Sequence, residues 1–358
     1  MNAQREDSAS PEKTLRLFLF GGKGYGSVLL SALIESGHNV VGLCASDDTA
    51  WTGTLKAGLA KRLMRLGLYG KPCFIYEDPF DEFESPSRIA RRHGIFVAPS
   101  ETLKTEEFKR RFAALNPDLA ILSGFPRLVP KAVFELPRIA SINFHPALLP
   151  KHRGGTPNRW VIRNGEPETG ITAHHVTERF DSGRIIAQRR ISVAVGSTWG
   201  DVEQRICGAL PHFGLEVIVR AATGDIRGVS QDERQASYEP PFRGAHQIID
   251  WRGDAESIRR ICDAIRPKSG GFAFVGGRQY CLWQVKIASP QTDIRTPGKV
   301  VAYDGAGRPI VSCGRGAICI ESFLEKGRIV EARRLVNDRD FALGQVFGQP
   351  DGQNRADV

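Results

Sequence analysis

Between Leu15 and His145 the chain repeats one unit, a short apolar run of strand length followed by a longer stretch with one apolar helical face. Leu15–Phe20, Val40–Cys44, Ile95–Ala98, Leu119–Leu122 and Ile142–His145 read as strands, with Gly26–Ser36, Pro86–Arg92 and Thr105–Leu115 as the helices between them. A crossover helix returns each strand to the same direction, so the strands pair in parallel and are covered on both faces. The expected fold class is α/β, a doubly wound, mostly parallel, Rossmann-like domain. Thr198–Ala222 reads as the helix that closes it.

After this the pattern changes. Arg227–Arg243 is polar and carries Pro240 and Pro241. Ser257–Ala264 is helical, and Tyr280–Ile287, Lys299–Tyr303, Ile310–Cys313 and Ile318–Phe323 are short alternating runs separated by turn residues, the signature of a small β-barrel. The expected division is a tail at 1–13, a catalytic domain at 14–226, a linker at 227–245, a barrel domain at 246–348 and a tail at 349–358. Between the second strand and Arg88 the basic stretch Leu55–Leu66 reads as an amphipathic helix that covers the sheet or guards an entrance, followed by the acidic, aromatic run Glu77–Pro86.

The chain has 358 residues, enough for two domains, and 25% charged residues. No apolar run approaches a bilayer-spanning length and the amino terminus has no signal-peptide pattern, so a cytoplasmic protein without a membrane partner is expected. Seven cysteines, scattered and without a Cys-x-x-Cys pair, read as buried thiols. The net charge of +9 admits a nucleic acid or an anionic small substrate, or is a solvated surface. Oligomeric state is not legible.

Chemistry concentrates in SINFHPALLPKHRGGTP, Ser141–Pro157, and TGITAHHVTERFDSG, which ends at Gly183. Asn143 and His145 sit two apart on a strand and share a face, and the following β-like run Gly170–Val176 can return Asp181 to the same sheet edge. An amide, an imidazole and a carboxylate together can donate to an oxyanion, move a proton and stabilise the protonated ring. His174 and His175 point to opposite faces, so at most one of them reaches the site. Arg153 either clamps an anionic group or orders its loop. No His, Cys, Asp or Glu set has a recognisable ligand spacing, so no metal is expected. The Gly21–Gly26 turn opens a helix after the first strand, but its spacing is not Gly-x-Gly-x-x-Gly, and Cys44 stands where a ribose-binding acid would fall.

The pattern Asn-x-His-x-x-Leu-Leu-Pro-x-x-Arg-Gly, then Thr-Gly-x-Thr, then Asp-x-Gly resembles the folate-dependent formyltransferases, over about Leu15 to Gly348. Ile249-Asp250-Trp251 and Ile265–Trp283 are similar to the carboxyl-terminal domain of family members that act on methionyl-tRNA or on sugars. The resemblance implies 10-formyltetrahydrofolate as co-substrate and formyl donor, Asn143, His145 and Asp181 as the catalytic trio, and an OB-like fold for the barrel. It further implies a folate pocket in the loop Ser123–Pro130, with Phe125, Leu128 and Val129 on one side and Phe180 on the other, and Arg153 as part of the site's framework. Trp160, in the stretch Gly154–Glu166, is similar to sugar formyltransferases and is expected on the acceptor side. The family's common tRNA-acting version has a Thr-Pro pair where this chain has its Gly turn. The expected acceptor is a small-molecule amine such as an amino sugar nucleotide or amino acid, with methionyl-tRNA as the alternative and water, in a formyltetrahydrofolate hydrolase, third.

Overall fold

The computed structural model describes residues 14–46, 78–288, 296–335 and 337–348. The basic stretch Leu55–Leu66 and Cys73 lie outside the described residues, as do both tails.

The first domain is built on β1 (Arg16–Gly21), α1 (Tyr25–Glu35), β2 (Asn39–Ala45), α2 (Pro86–Arg92), β3 (Phe96–Pro99), α3 (Glu106–Ala114), β4 (Leu119–Ser123), α4 (Lys131–Phe134), β5 (Ala140–His145), β6 (Arg153–Gly154), α5 (Pro157–Asn164), β7 (Glu168–His175), β8 (Ile185–Ser192) and α6 (Trp199–Ala222). Seven strands form one sheet in the order β3-β2-β1-β4-β5-β7-β8. The first five are parallel, whereas β7 runs antiparallel to both β5 and β8. Leu17 and Leu19 of β1 face one hydrophobic cluster and Phe18 and Phe20 the other, so period-two alternation feeds two cores. On the second face Phe18 and Phe20 meet Phe108 and Phe112, one turn apart on α3, with 4.7 Å between the Phe18 and Phe112 ring centroids. Thr105 caps α3 by accepting from Phe108 N–H, and Thr198 with Asp201 forms a reciprocal capping box on α6.

The sequence pattern locates the parallel strands to within about a residue or two. It does not reveal β8 or α5 as elements, nor that the sheet reverses direction at β7. A parallel β5–β7 pair would need a crossover that returns the chain to the other end of the sheet, whereas α5 stays beside the end of β5 and sends β7 straight back.

Beyond the first domain, β9 (Tyr238–Glu239) pairs with β6, so the linker is tied to the loop after His145. Then follow α7 (Ala255–Asp263) and the strands β10 (Gly271–Val275), β11 (Arg278–Ala288), β12 (Val300–Tyr303), β13 (Pro309–Ser312), β14 (Ala317–Glu325) and β15 (Arg328–Glu331), all antiparallel. Their order is β10-β11-β14-β13-β12, with β15 on β14. Val346 bridges to Lys299 beside β12 and Gly348 to Phe274 in β10, so this segment joins the two ends of the sheet into a barrel. Six described cysteines are buried and free. Among the described residues no helix is long and apolar enough to cross a membrane.

One polar knot lies inside the first domain. Glu203 of α6, 5% exposed, accepts from Trp199 Nε1 at 2.5 Å, from Asn158 Nδ2 at 3.3 Å and from the Tyr25 hydroxyl. Asn158 in turn accepts from Thr169 Oγ1 at 3.0 Å. These donors are neutral, and burial pushes the Glu203 carboxyl well above its ordinary value. A raised folded-state pKa gives stability that is complete below the unfolded value of about 4.3 and is lost as pH rises towards the folded value. Glu203→Gln keeps the shape without the ionisation. Thermal melts of variant and wild type should therefore diverge in the variant's favour as pH rises from 5 to 8, while a pH-independent difference would contradict a buried neutral carboxyl.

Candidate active site

The last residues of β5 set the site. Phe144 points into the core against the Phe213 ring, centroids 5.9 Å apart, so Asn143 and His145 project together from the opposite face. Antiparallel pairing with β7 then sets Asn143 opposite His174 and His145 opposite Thr172. His174 is therefore the histidine of the pair that faces the site, while His175 turns away and bonds the Ile226 carbonyl oxygen at 2.6 Å. After β7 a tight turn brings Asp181 back, with Asp181 itself in the left-handed region at φ +53°. Thr177 Oγ1 donates to the Arg179 carbonyl within that turn.

The four side chains meet on one carboxylate oxygen. Asn143 Nδ2 donates to Asp181 Oδ1 at 3.2 Å, and His145 Nδ1 and His174 Nε2 each lie 3.5 Å from that atom. Asp181 Oδ2 accepts the Gly154 backbone N–H at 2.9 Å. Burial alone would raise the Asp181 carboxyl, but attraction to the protonated form of His145 and the Gly154 N–H hold it well below the usual carboxylate range.

The partners also dictate the protons. His145 Nε2 lies 2.8 Å from the His152 carbonyl oxygen, which can only accept, so Nε2 carries hydrogen. Burial lowers the His145 pKa, while Asp181 pulls against it by favouring the imidazolium, whose Nδ1–H faces the carboxylate. His174 Nδ1 similarly donates to the His175 carbonyl at 2.8 Å, leaving Nε2 to accept from Asn143 Nδ2 at 3.0 Å. Both amide hydrogens of Asn143 are thereby engaged. His145 Nδ1 is set to receive a proton, and Asp181 to stabilise the cation that results.

Arg153 departs from one of its two expected roles. It is fully buried, and its guanidinium donates to Gln231, Glu233 and Tyr238, so it orders the loop and has no donor left to clamp a substrate. Trp160 also departs from expectation. Its Nε1 donates to the Pro240 carbonyl at 2.9 Å and its ring packs on Phe242 and His246, which makes it a joint between α5 and the linker. The loop after β4 splits its residues. Val129, 4% exposed, belongs to the core, whereas Phe125 is half-buried and packs on Phe20 at 5.5 Å. Leu128 at 43% and Phe180 at 47% exposure remain open, on segments that meet through Lys131 and Glu178.

Residues 18–218, more than half the chain, match the family profile described as Formyl transferase, and residues 243–340 match Formyl transferase, C-terminal domain. The chain belongs to the formyltransferase family. Among curated relatives of this formyltransferase, the methionyl-tRNA formyltransferase of Marinobacter nauticus is 28% identical over 309 residues, covering 86% of this chain and 91% of the relative. That of Aromatoleum aromaticum is 30% identical over 267 residues, covering 74% and 83%. Two solved structures share the fold. The N-formyltransferase of Helicobacter canadensis, determined with folinic acid and dTDP-3-aminofucose, superposes with a TM-score of 0.57 at 15% identity, over 87% of this formyltransferase and 99% of that chain. WlaRD, a sugar 3N-formyl transferase, superposes with a TM-score of 0.58 at 14% identity, over 88% and 99%.

The turn that carries Asp181 tolerates no extra atom at Gly183, where an added Cβ would stand 1.8 Å from the His175 carbonyl oxygen. Gly155, in the facing loop, has nothing within 4 Å of its Cβ position. Gly183→Ala is expected to cost about 1–3 kcal/mol of stability in this formyltransferase, read from the urea midpoint, and Gly155→Ala within about 0.5 kcal/mol. Equal midpoints for the two variants would show that the turn yields freely.

Proposed function

We propose that this formyltransferase moves a formyl group from 10-formyltetrahydrofolate to the primary amine of a small molecule. The observation that carries the reading is the convergence of Asn143, His145 and His174 on the Asp181 carboxylate at the open end of β5. The amine nitrogen attacks the formyl carbon, forming a C–N bond and a tetrahedral oxyanion. An Asn143 N–H, released from its longer contact with Asp181, donates to that oxyanion. The proton on the new ammonium passes to His145 Nδ1, and Asp181 stabilises the imidazolium. The proton then moves to the folate nitrogen as its bond to the formyl carbon breaks, leaving a formamide and tetrahydrofolate. Leu128 and Phe180, large apolar groups left exposed on adjoining segments, suit the two faces of a pteridine.

For the acceptor, the support is the Gly21–Gly26 turn, which stands where the family's common tRNA-acting version has a Thr-Pro pair. The segment Asp78–Glu84 returns over the turn between β1 and α1, with the Phe80 ring 5.1 Å from that of Tyr25 and Asp81 paired with Lys23. Its carboxylates are held in ion pairs, Asp78 with Lys268, Asp81 with Lys23 and Glu84 with Arg92. The second reading, transfer to methionyl-tRNA, is favoured by the names of relatives that span both domains. It would require the C-terminal domain to neutralise phosphates.

Two measurements test this. His145→Ala is expected to reduce turnover at least about 100-fold in a folded protein, and because burial lowers the His145 pKa, the acid limb of wild-type kcat/KM, expressed on the concentration of unprotonated amine, should fall below pH 6.5. Near-normal turnover, or a limb above that value, would remove His145 as the base. The acceptor is decided by assaying formyl transfer against amino sugar nucleotides, amino acids and charged initiator tRNA at physiological salt. Efficient transfer to the tRNA alone would overturn the small-amine reading.

A further inference from the structure

The residues joining the two domains reach back into the site. His152 N–H donates to Ser237 Oγ at 2.8 Å, Arg153 N–H to the Ser237 carbonyl at 2.9 Å, and Arg153-Gly154 pairs in parallel with Tyr238-Glu239. The loop thus held supplies the carbonyl that binds His145 and the Gly154 N–H that binds Asp181. One linker side chain spans both halves of the site. Gln231 Nε2 donates to the carbonyl oxygens of Asp181 and Gly183, each at 2.7 Å. Its Oε1 accepts from Arg153 Nε at 3.0 Å and Nη2 at 2.7 Å.

The orientation of that amide follows from its partners, since two carbonyls can only accept and a guanidinium can only donate. All four of its hydrogen-bonding positions are used. Asp181 also needs holding. A non-glycine residue at φ +53° sits in a sparsely populated backbone region and stays there only while its surroundings over-determine it.

Resting on the formyl-transfer reading above, we propose that Gln231 is a positioning residue for the reaction, fixing the Asp181 carboxylate against His145 from outside the catalytic domain. Gln231 touches no reacting atom and acts only through the Asp181 turn and Arg153. A displacement of about 1 Å at a catalytic group can cost about 100-fold in rate, so loosening one bridge is enough to slow transfer.

The test uses the full chain. Gln231→Met removes both arms, while Gln231→Glu keeps acceptors for Arg153 and loses the donors to Asp181 and Gly183. Both variants should lower kcat about 10- to 100-fold, with KM for 10-formyltetrahydrofolate within about threefold and a single cooperative melt. In an Asp181→Asn background Gln231→Met should add little further loss, because the two residues act as a unit. A readout independent of catalysis is the titration of His145 in 15N-histidine spectra of the unliganded protein. That titration should move to lower pH in Gln231→Met, as the carboxylate that favours the imidazolium drifts away. The proposal is overturned if Gln231→Glu matches wild type in kcat, if the loss is fully additive with Asp181→Asn, or if the His145 titration is unmoved in Gln231→Met. Should wild type transfer formyl to no amine tested, the activity reading falls and the histidine titration still decides the role of Gln231.

Discussion

The antiparallel pairing of β5 with β7 is the constraint on which the site depends. Four strands lie parallel to β1 or to one another through it, and a further parallel strand at this edge would have carried its carboxyl end alongside that of β5. Reversal instead lays His174 across from Asn143 and Thr172 across from His145. Two side chains from each strand then lie within one pleat spacing, and the turn after β7 has only to come back a few residues to deliver Asp181.

Charge follows from that placement. His145 and Asp181 are both nearly sealed from water, which would ordinarily neutralise each of them. Asp181 stays ionised because it accepts an amide N–H and a backbone N–H and is attracted by the imidazolium it stabilises at His145, whereas burial outweighs the carboxylate at His145 and favours the neutral ring. The outcome is a base next to an anion, with the proton's destination fixed by a backbone carbonyl on the far side of the ring.

Much of this arrangement is legible in the sequence. Asn143 and His145 share a face because strands have a period of two, and the parallel core is written in apolar runs such as Leu119–Leu122. Alternation narrows the second histidine to one of two residues, and only the register with β5 chooses His174. Arg153 and Trp160 are harder. Arginine and tryptophan are suited equally to ligands and to buried joints, and the partners that decide, Gln231, Glu233, Pro240 and Phe242, lie far along the chain in a stretch whose composition reads as linker. Val129 and Leu128 are adjacent in an apolar loop, and alternation alone does not say which one turns inward.

The tie between β6 and β9 bears on how the protein is made. Synthesis runs from the amino terminus, so the seven-stranded sheet and α6 are complete once Ala222 has emerged. At that moment the cluster around Phe18 and Phe20 can close, whereas the other still awaits Phe242, Ile249, Trp251 and Ile258 from the later chain, the loop from His152 to Gly154 has no strand to pair with and Arg153 has no carboxylate to bury against. Core and site are therefore both finished by residues that follow the sheet. A chain cut back to the catalytic domain would lack both the strand that pairs with β6 and the apolar side chains that close the larger cluster.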